Sequence, residues 1–333
     1  MKGSVQMKKV LTSVPSTFKA YNQTMKEVLE AAGFEVTQRW DDDGIPKAEL
    51  VKIIKEFDGM IMGLDKIDED VIKAGKKLKV LAKYGVGTDN IDIPAATKAG
   101  IVVANTPGGN STAVAELAIA MMVNVARQVV ESCAKLKSGS IEPQVGPELE
   151  GKILGIIGLG NIGKKVASRA AAFGMNILVN DLLTFPEWTH GFPVKYVEKD
   201  EIYKTADFIT VHTPLTELTR NMIGERELKM MKKTAIVINT ARGGIVNEDA
   251  LDKALSKKWI AGAGFDAYSK EPPAGFPMLR HGSFTGTTHI GGSTFEAIKR
   301  IGEMAADNVI RVVGGRKPIN SVNPETTAKL KEV

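Results

Sequence analysis

Short apolar, β-rich runs alternate with amphipathic stretches along nearly the whole chain. Runs at residues 9–14, 34–39, 59–64, 79–84 and 101–105 predict one set of strands. Runs at 153–157, 176–180, 208–211, 235–239, 261–265 and 284–287 predict a second. Most are continuous rather than strictly alternating, the pattern of strands covered on both faces. Helical stretches at 21–32 and 47–57 fill gaps in the first set. Such alternation predicts parallel sheets with crossover helices, an α/β fold.

Two longer helical patterns, at 112–127 and 294–313, mark the boundaries. The first is unusually apolar; the second places Ile298, Ile301, Ala305, Val309 and Val312 at helical spacing. Only a short stretch follows it, too short to found a third domain. The economical division is a discontinuous domain of residues 1–107 plus 294–333 and a second domain of residues 108–293. Two doubly wound parallel sheets with a cleft between them are the expected architecture.

Composition narrows the class of function. In 333 residues, 43% are hydrophobic and 25% charged, ordinary for a globular chain. No apolar run approaches the ~18 residues of a membrane span. The net charge of +5 is small and its lysines are scattered, so neither nucleic acid nor membrane is an expected partner. The single cysteine, Cys133, rules out a disulfide framework within the chain and a multi-cysteine zinc site. The expected setting is the reducing cytoplasm. No carboxylate spacing around His190 or His281 suggests a metal site.

The sharpest motif is Gly158-Leu159-Gly160-Asn161-Ile162-Gly163. A predicted strand precedes it, a helix follows at 162–173, and the next strand ends at Asp181, the context that makes the motif specific. Gly158 allows the tight turn, Gly160 lets the backbone approach a pyrophosphate, and Gly163 lets helix pack on strand. The amides of Asn161 and Ile162 open the helix, where an anion is favoured. Asp181 is placed to accept hydrogen bonds from the adenosine ribose. No arginine follows it to meet a 2′-phosphate, so NAD is favoured over NADP.

Three further polar residues follow predicted strands: Arg242 in Asn239-Thr240-Ala241-Arg242-Gly243-Gly244, Glu271 before Pro272-Pro273, and His289 in Thr288-His289-Ile290-Gly291-Gly292. A guanidinium is a natural bidentate partner for a carboxylate. A histidine beside a carboxylate is a natural proton donor near neutral pH. His212, before Thr213-Pro214, is expected at a strand end near the cofactor, bonded to backbone.

These stretches resemble the signatures of the D-2-hydroxyacid dehydrogenases, in the phosphoglycerate dehydrogenase-like branch, over about residues 79–323. The resemblance implies a Rossmann NAD-binding domain and a flavodoxin-like substrate domain. It implies that Arg242 holds and polarises a 2-keto acid, His289 donates the proton and Glu271 tunes His289, with hydride moving between NAD(H) and the keto carbon. Arg242 and His289 would thus touch both cofactor and substrate. By the same resemblance Val86 and Gly87 cradle the substrate carboxylate through their backbone. Thr112, His212, Thr213, Thr240, Ala241, Asp266 and Gly291 line the cofactor, Asp266 near the nicotinamide carboxamide. The helix at 112–127 and the segment after it belong to a homodimer interface; burial within a monomer would equally explain its apolarity.

The first specific expectation is the 3-phosphoglycerate/3-phosphohydroxypyruvate pair. Met62-Gly63-Leu64-Asp65 stands where that branch tends to place a phosphate-binding arginine, leaving Lys66, Lys83 or Tyr84 to replace it. Hydroxypyruvate or glyoxylate reduction is the close rival. A different class, an NAD-sensing corepressor-like binding protein, is the remaining alternative; the short tails disfavour it.

Overall fold

In a computed structural model the chain is described at residues 7–185, 188 and 191–332. It divides into two compact units, Met1–Asn110 with Ser293–Val333, and Ser111–Gly292. Of the residues discussed above, His190 lies outside the described ones.

The first unit runs β1 (Lys8–Ser13), α1 (Gln23–Ala31), β2 (Phe34–Arg39), α2 (Lys47–Ile53), β3 (Gly59–Met62), α3 (Glu69–Ala74), β4 (Val80–Lys83), α4 (Ile93–Lys98) and β5 (Val102–Ala104). The second holds α5 (Ser111–Arg127), α6 (Val129–Lys137), β6 (Ile153–Ile157), α7 (Asn161–Ala172), β7 (Asn176–Asn180), β8 (Val194–Tyr196), α8 (Lys199–Thr205) and β9 (Phe208–Val211). It continues with α9 (Glu225–Met230), β10 (Ile236–Asn239), α10 (Glu248–Ser256), β11 (Gly262–Phe265) and β12 (Phe284–Gly286). The chain then returns to the first unit as α11 (Phe295–Val313).

Strand order is β2-β1-β3-β4-β5 in the first unit and β12-β11-β10-β9-β6-β7-β8 in the second. Every pairing between these strands is parallel. Strands β3, β4, β5, β9, β10 and β11 are buried along their full length, as the continuous apolar runs require. In each unit one apolar cluster covers each face of the sheet. In the first, α1 and α11 bury Met25, Leu29, Ile301 and Val309 on one side, and α2 to α4 bury Leu50, Val71 and Ala96 on the other. In the second, α5 and α7 bury Met122 and Val166, while α8 to α10 bury Ile202, Leu228 and Leu251.

The apolar helix α5 therefore spends most of its surface inside its own unit: Ala115, Ala118 and Met122 are fully buried there. Its successor α6 buries nothing and leaves Val129, Val130 and Leu136 exposed. Among the described residues no single helix is long and apolar enough to cross a membrane, and none of the His, Cys, Asp and Glu side chains form a group that could hold a metal ion.

Candidate active site

Parallel order brings the carboxyl ends of the second unit's strands to one edge of its sheet, where doubly wound folds bind their ligands. Along that edge β12, β11, β10, β9, β6 and β7 are followed in turn by His289, Glu271, Arg242, His212, the glycine turn and Asp181.

At the glycine turn each glycine has its own reason. Gly158 has φ +98°, and a Cβ there would come 2.7 Å from the His212 carbonyl. A Cβ on Gly163 would meet the Gly158 carbonyl oxygen at 2.1 Å, so only glycine lets α7 close on β6. Gly160 faces open space, with nothing within 4 Å of a built Cβ, and it caps the N-terminus of α7. Asp181 braces the same turn. Its Oδ2 accepts the Leu159 amide at 2.5 Å and its Oδ1 the Leu183 amide at 2.9 Å.

On the same strand edge, three buried polar atoms have no partner among the described residues: His212 Nδ1, Thr213 Oγ1 and Thr240 Oγ1. Burial pushes the His212 imidazole down to about 3, so it stays neutral. Its Nε2 pairs with the Thr210 hydroxyl at 2.9 Å, not with backbone as expected from sequence; the ring turns back along β9, where Thr210 lies two residues earlier on the same face. Orphaned polar atoms are rare in folded proteins and here point to a polar ligand. An open Gly160 approach, a helix N-terminus and these unfilled donors and acceptors fit a dinucleotide. Thr112, in the first turn of α5, is half-buried.

On the other half of the edge, His289 Nδ1 lies 2.9 and 3.0 Å from the two carboxylate oxygens of Glu271, whose Oε1 also accepts the Tyr268 amide at 3.1 Å. The hydrogen bond that His289 donates to Glu271, with the charges of Glu271 and Asp266, holds the imidazole above its ordinary pKa against burial and the positive Arg242. Burial pushes Glu271 up. The bond and charge of His289, the Tyr268 amide and Arg242 together outweigh it and leave the carboxyl below its usual value. With Nδ1 committed to Glu271, Nε2 is the atom of the half-exposed ring left for a substrate.

The loops that present these groups are fixed by backbone contacts. Asn239 closes the Arg242 turn, donating to the Arg242 carbonyl at 2.8 Å and accepting from the Ala241 amide at 3.1 Å. A Cβ on Gly243 would meet the Tyr268 carbonyl carbon at 1.8 Å, so glycine seats the Arg242 turn directly on the backbone leading to Glu271. The guanidinium donates to the Ala241 carbonyl at 2.8 Å. His289 itself has φ +56°, a conformation uncommon for a side-chain-bearing residue. Asp266 holds it there: Oδ1 accepts from the Ile290 amide (2.7 Å) and the Thr287 hydroxyl (2.6 Å), and Oδ2 from the Gly291 amide (2.7 Å). Sequence reasoning assigned Asp266 to the nicotinamide; its carboxylate is engaged in anchoring the histidine loop. Asn239 and Tyr268 were not singled out from sequence, although Asn239 opens the quoted Arg242 motif and Tyr268 lies three residues before Glu271.

The substrate candidates of the first unit sit after β4. Val86 and Gly87 form a loop whose amides have no acceptor among the described residues. The Tyr84 hydroxyl turns inward, donating to the Ile298 carbonyl at 2.8 Å beside Asn22 (3.0 Å), so that side chain belongs to the core.

Comparison with known proteins places the chain in a family. Residues 119–291 match the model of the D-isomer specific 2-hydroxyacid dehydrogenase NAD-binding domain. A glyoxylate reductase of Thermococcus litoralis is 40% identical over 302 residues, 88% of this chain and 91% of that one. A D-3-phosphoglycerate dehydrogenase of Sus scrofa is 40% identical over 303 residues, covering 90% of this chain but 56% of that protein. Among solved structures, the NAD+-bound 3-phosphoglycerate dehydrogenase of Entamoeba histolytica superposes with a TM-score of 0.80 at 31% identity, over 95% of this chain and 99% of that one. Glycine turn, orphaned polar atoms and family match converge: the chain belongs to the D-isomer specific 2-hydroxyacid dehydrogenase family and is an NAD-dependent oxidoreductase of 2-hydroxy acids.

Proposed function

We propose that the protein reduces a small, unphosphorylated 2-keto acid, glyoxylate or hydroxypyruvate, at the expense of NADH. The observation that carries the catalytic reading is the His289–Glu271 pair at 2.9 Å, beside the Arg242 turn on adjacent strand ends. NADH supplies the hydride when bound. Residues 158–163, Asp181, His212, Thr213, Thr240, Ala241 and Gly291 are the proposed cofactor contacts, with Thr112 at the first turn of α5. In the second unit Arg242 draws the substrate carbonyl and carboxylate oxygens toward its positive charge. His289 delivers a proton from Nε2 to the carbonyl oxygen, and Glu271 stabilises the imidazolium before transfer. In the first unit the amides of Val86 and Gly87 are themselves proposed as donors to a carboxylate.

The preference for an unphosphorylated acid rests on the first unit. Of three cations and donors considered for a phosphate, the Tyr84 hydroxyl and the Lys83 ammonium are both bonded inside the unit. Only Lys66 is exposed. Reduction of 3-phosphohydroxypyruvate remains the second reading, favoured by the phosphoglycerate dehydrogenases among the relatives. The deciding experiment is kcat/KM for glyoxylate, hydroxypyruvate and 3-phosphohydroxypyruvate with NADH. A preference of about tenfold or more for the phosphorylated acid reverses the choice; turnover of none, with NADH still bound, favours a binding role. We further propose a cytoplasmic homodimer. The exposed apolar residues of α6, followed by Ile141 and Val145 at 90% and 89% exposure, support a self-association surface.

A further inference from the structure

Lys83 is charged, only 8% exposed, and ends a strand otherwise made of apolar residues. A buried ammonium is costly unless its hydrogen bonds are made. Here its Nζ donates to the Gly63 carbonyl and, at 2.9 Å, to Asn90 Oδ1. Asn90 returns two donations across the same gap, to the Gly63 carbonyl at 3.1 Å and the Asp65 carbonyl at 2.6 Å. Asp65, 1% exposed, lies beneath: its Oδ1 accepts from the Ser13 hydroxyl and the Ile45 amide, each at 2.8 Å.

This network ties the turn after β3 to the loop after β4, and it brackets the segment between Lys83 and Asn90. The far end is fastened as well, because the Ile67 amide donates to the Asn90 carbonyl at 2.9 Å. Within the bracket, Gly85 has φ +137°, and the Lys83 stem lies 4.0 Å from where its Cβ would be. The Gly85 carbonyl is taken by the Thr106 amide (2.9 Å) and hydroxyl (3.0 Å), and the Val86 carbonyl by the Asn105 side chain (2.7 Å). With both carbonyls turned into the protein, the amides of Val86 and Gly87 are left to donate elsewhere.

We infer that Lys83, acting through Asn90 and the Gly63 carbonyl, is a positioning residue that holds the Val86 and Gly87 amides in place for the substrate carboxylate. The inference rests on the proposed carboxylate role of those amides. Lys83 touches neither substrate nor cofactor in this account; its charge fastens the bracket from below.

The test uses the full-length protein, with oxamate as the carboxylate probe. In wild-type enzyme with NADH, amide hydrogen exchange should slow at residues 86–87 on adding oxamate. Lys83→Met, which keeps the stem and removes the charge, should raise the keto-acid KM and the oxamate Kd about tenfold or more, with kcat and NADH Kd changed far less. Asn90→Ala breaks the bracket while retaining the ammonium, and serves if Lys83→Met fails to fold. The two changes together should cost no more than the larger alone, since they cut one network. Protection in wild type with an unchanged KM in a folded variant overturns the positioning role alone. Absence of protection in wild type overturns the carboxylate reading and the inference with it.

Discussion

The Nδ1 atom of His289 faces the carboxylate of Glu271 at 2.9 Å, and the histidine backbone adopts φ +56° to put it there. That pairing sets the pH behaviour. With His289 as the proposed proton donor in its imidazolium form, turnover should fall as pH rises through its raised pKa. Glu271→Gln removes the main cause of the raised value, so the fall should begin at lower pH. The pH profile of kcat/KM checks this. A profile superposable on wild type contradicts a tuning role for Glu271.

Arg242→Ala removes a preorganised positive charge, and kcat/KM for the keto acid should fall by ~3–4 kcal/mol of transition-state stabilisation, a factor of several hundred. NADH affinity, read by fluorescence titration, should change little. Retained turnover would dismiss the guanidinium from the chemistry.

Asp181 braces the Leu159 amide and is the proposed partner of the ribose. Asp181→Ala should therefore weaken NADH binding and raise NADPH use relative to NADH. Relative kcat/KM for the two cofactors reads the second effect; a constant ratio would mean the ribose binds elsewhere.

Asp266→Asn turns an all-acceptor carboxylate into an amide facing backbone donors. It leaves at least one of the Ile290 and Gly291 amides unpaired, at ~1–3 kcal/mol. The melting temperature and kcat should drop together, because the same contacts hold the fold and aim His289. Wild-type values of both would show that the loop is held otherwise.

Most strands were legible because burial on both faces writes itself as an unbroken apolar run, as in Phe208–Val211 and Ile236–Asn239. The edge strand Val194–Tyr196 was not, since none of its three residues is buried and no apolar run marks it. Nor was the helix Val129–Lys137 delimited, because it buries none of its residues and so carries no apolar stripe set by a core. In the candidate site, residues carried by local motifs could be read: the glycine turn, Arg242, Glu271 and His289. Pairings across the sheet could not. That Asp266 anchors Ile290 and Gly291, or that Lys83 meets Gly63, depends on strands brought together only by folding.

The proton donor tests the account most directly. In His289→Ala, kcat for glyoxylate or hydroxypyruvate with NADH should fall by about two to four orders of magnitude, while NADH binds with its wild-type Kd. A variant that binds NADH and reduces the keto acid as fast as wild type would contradict the assignment of this strand edge as the catalytic centre.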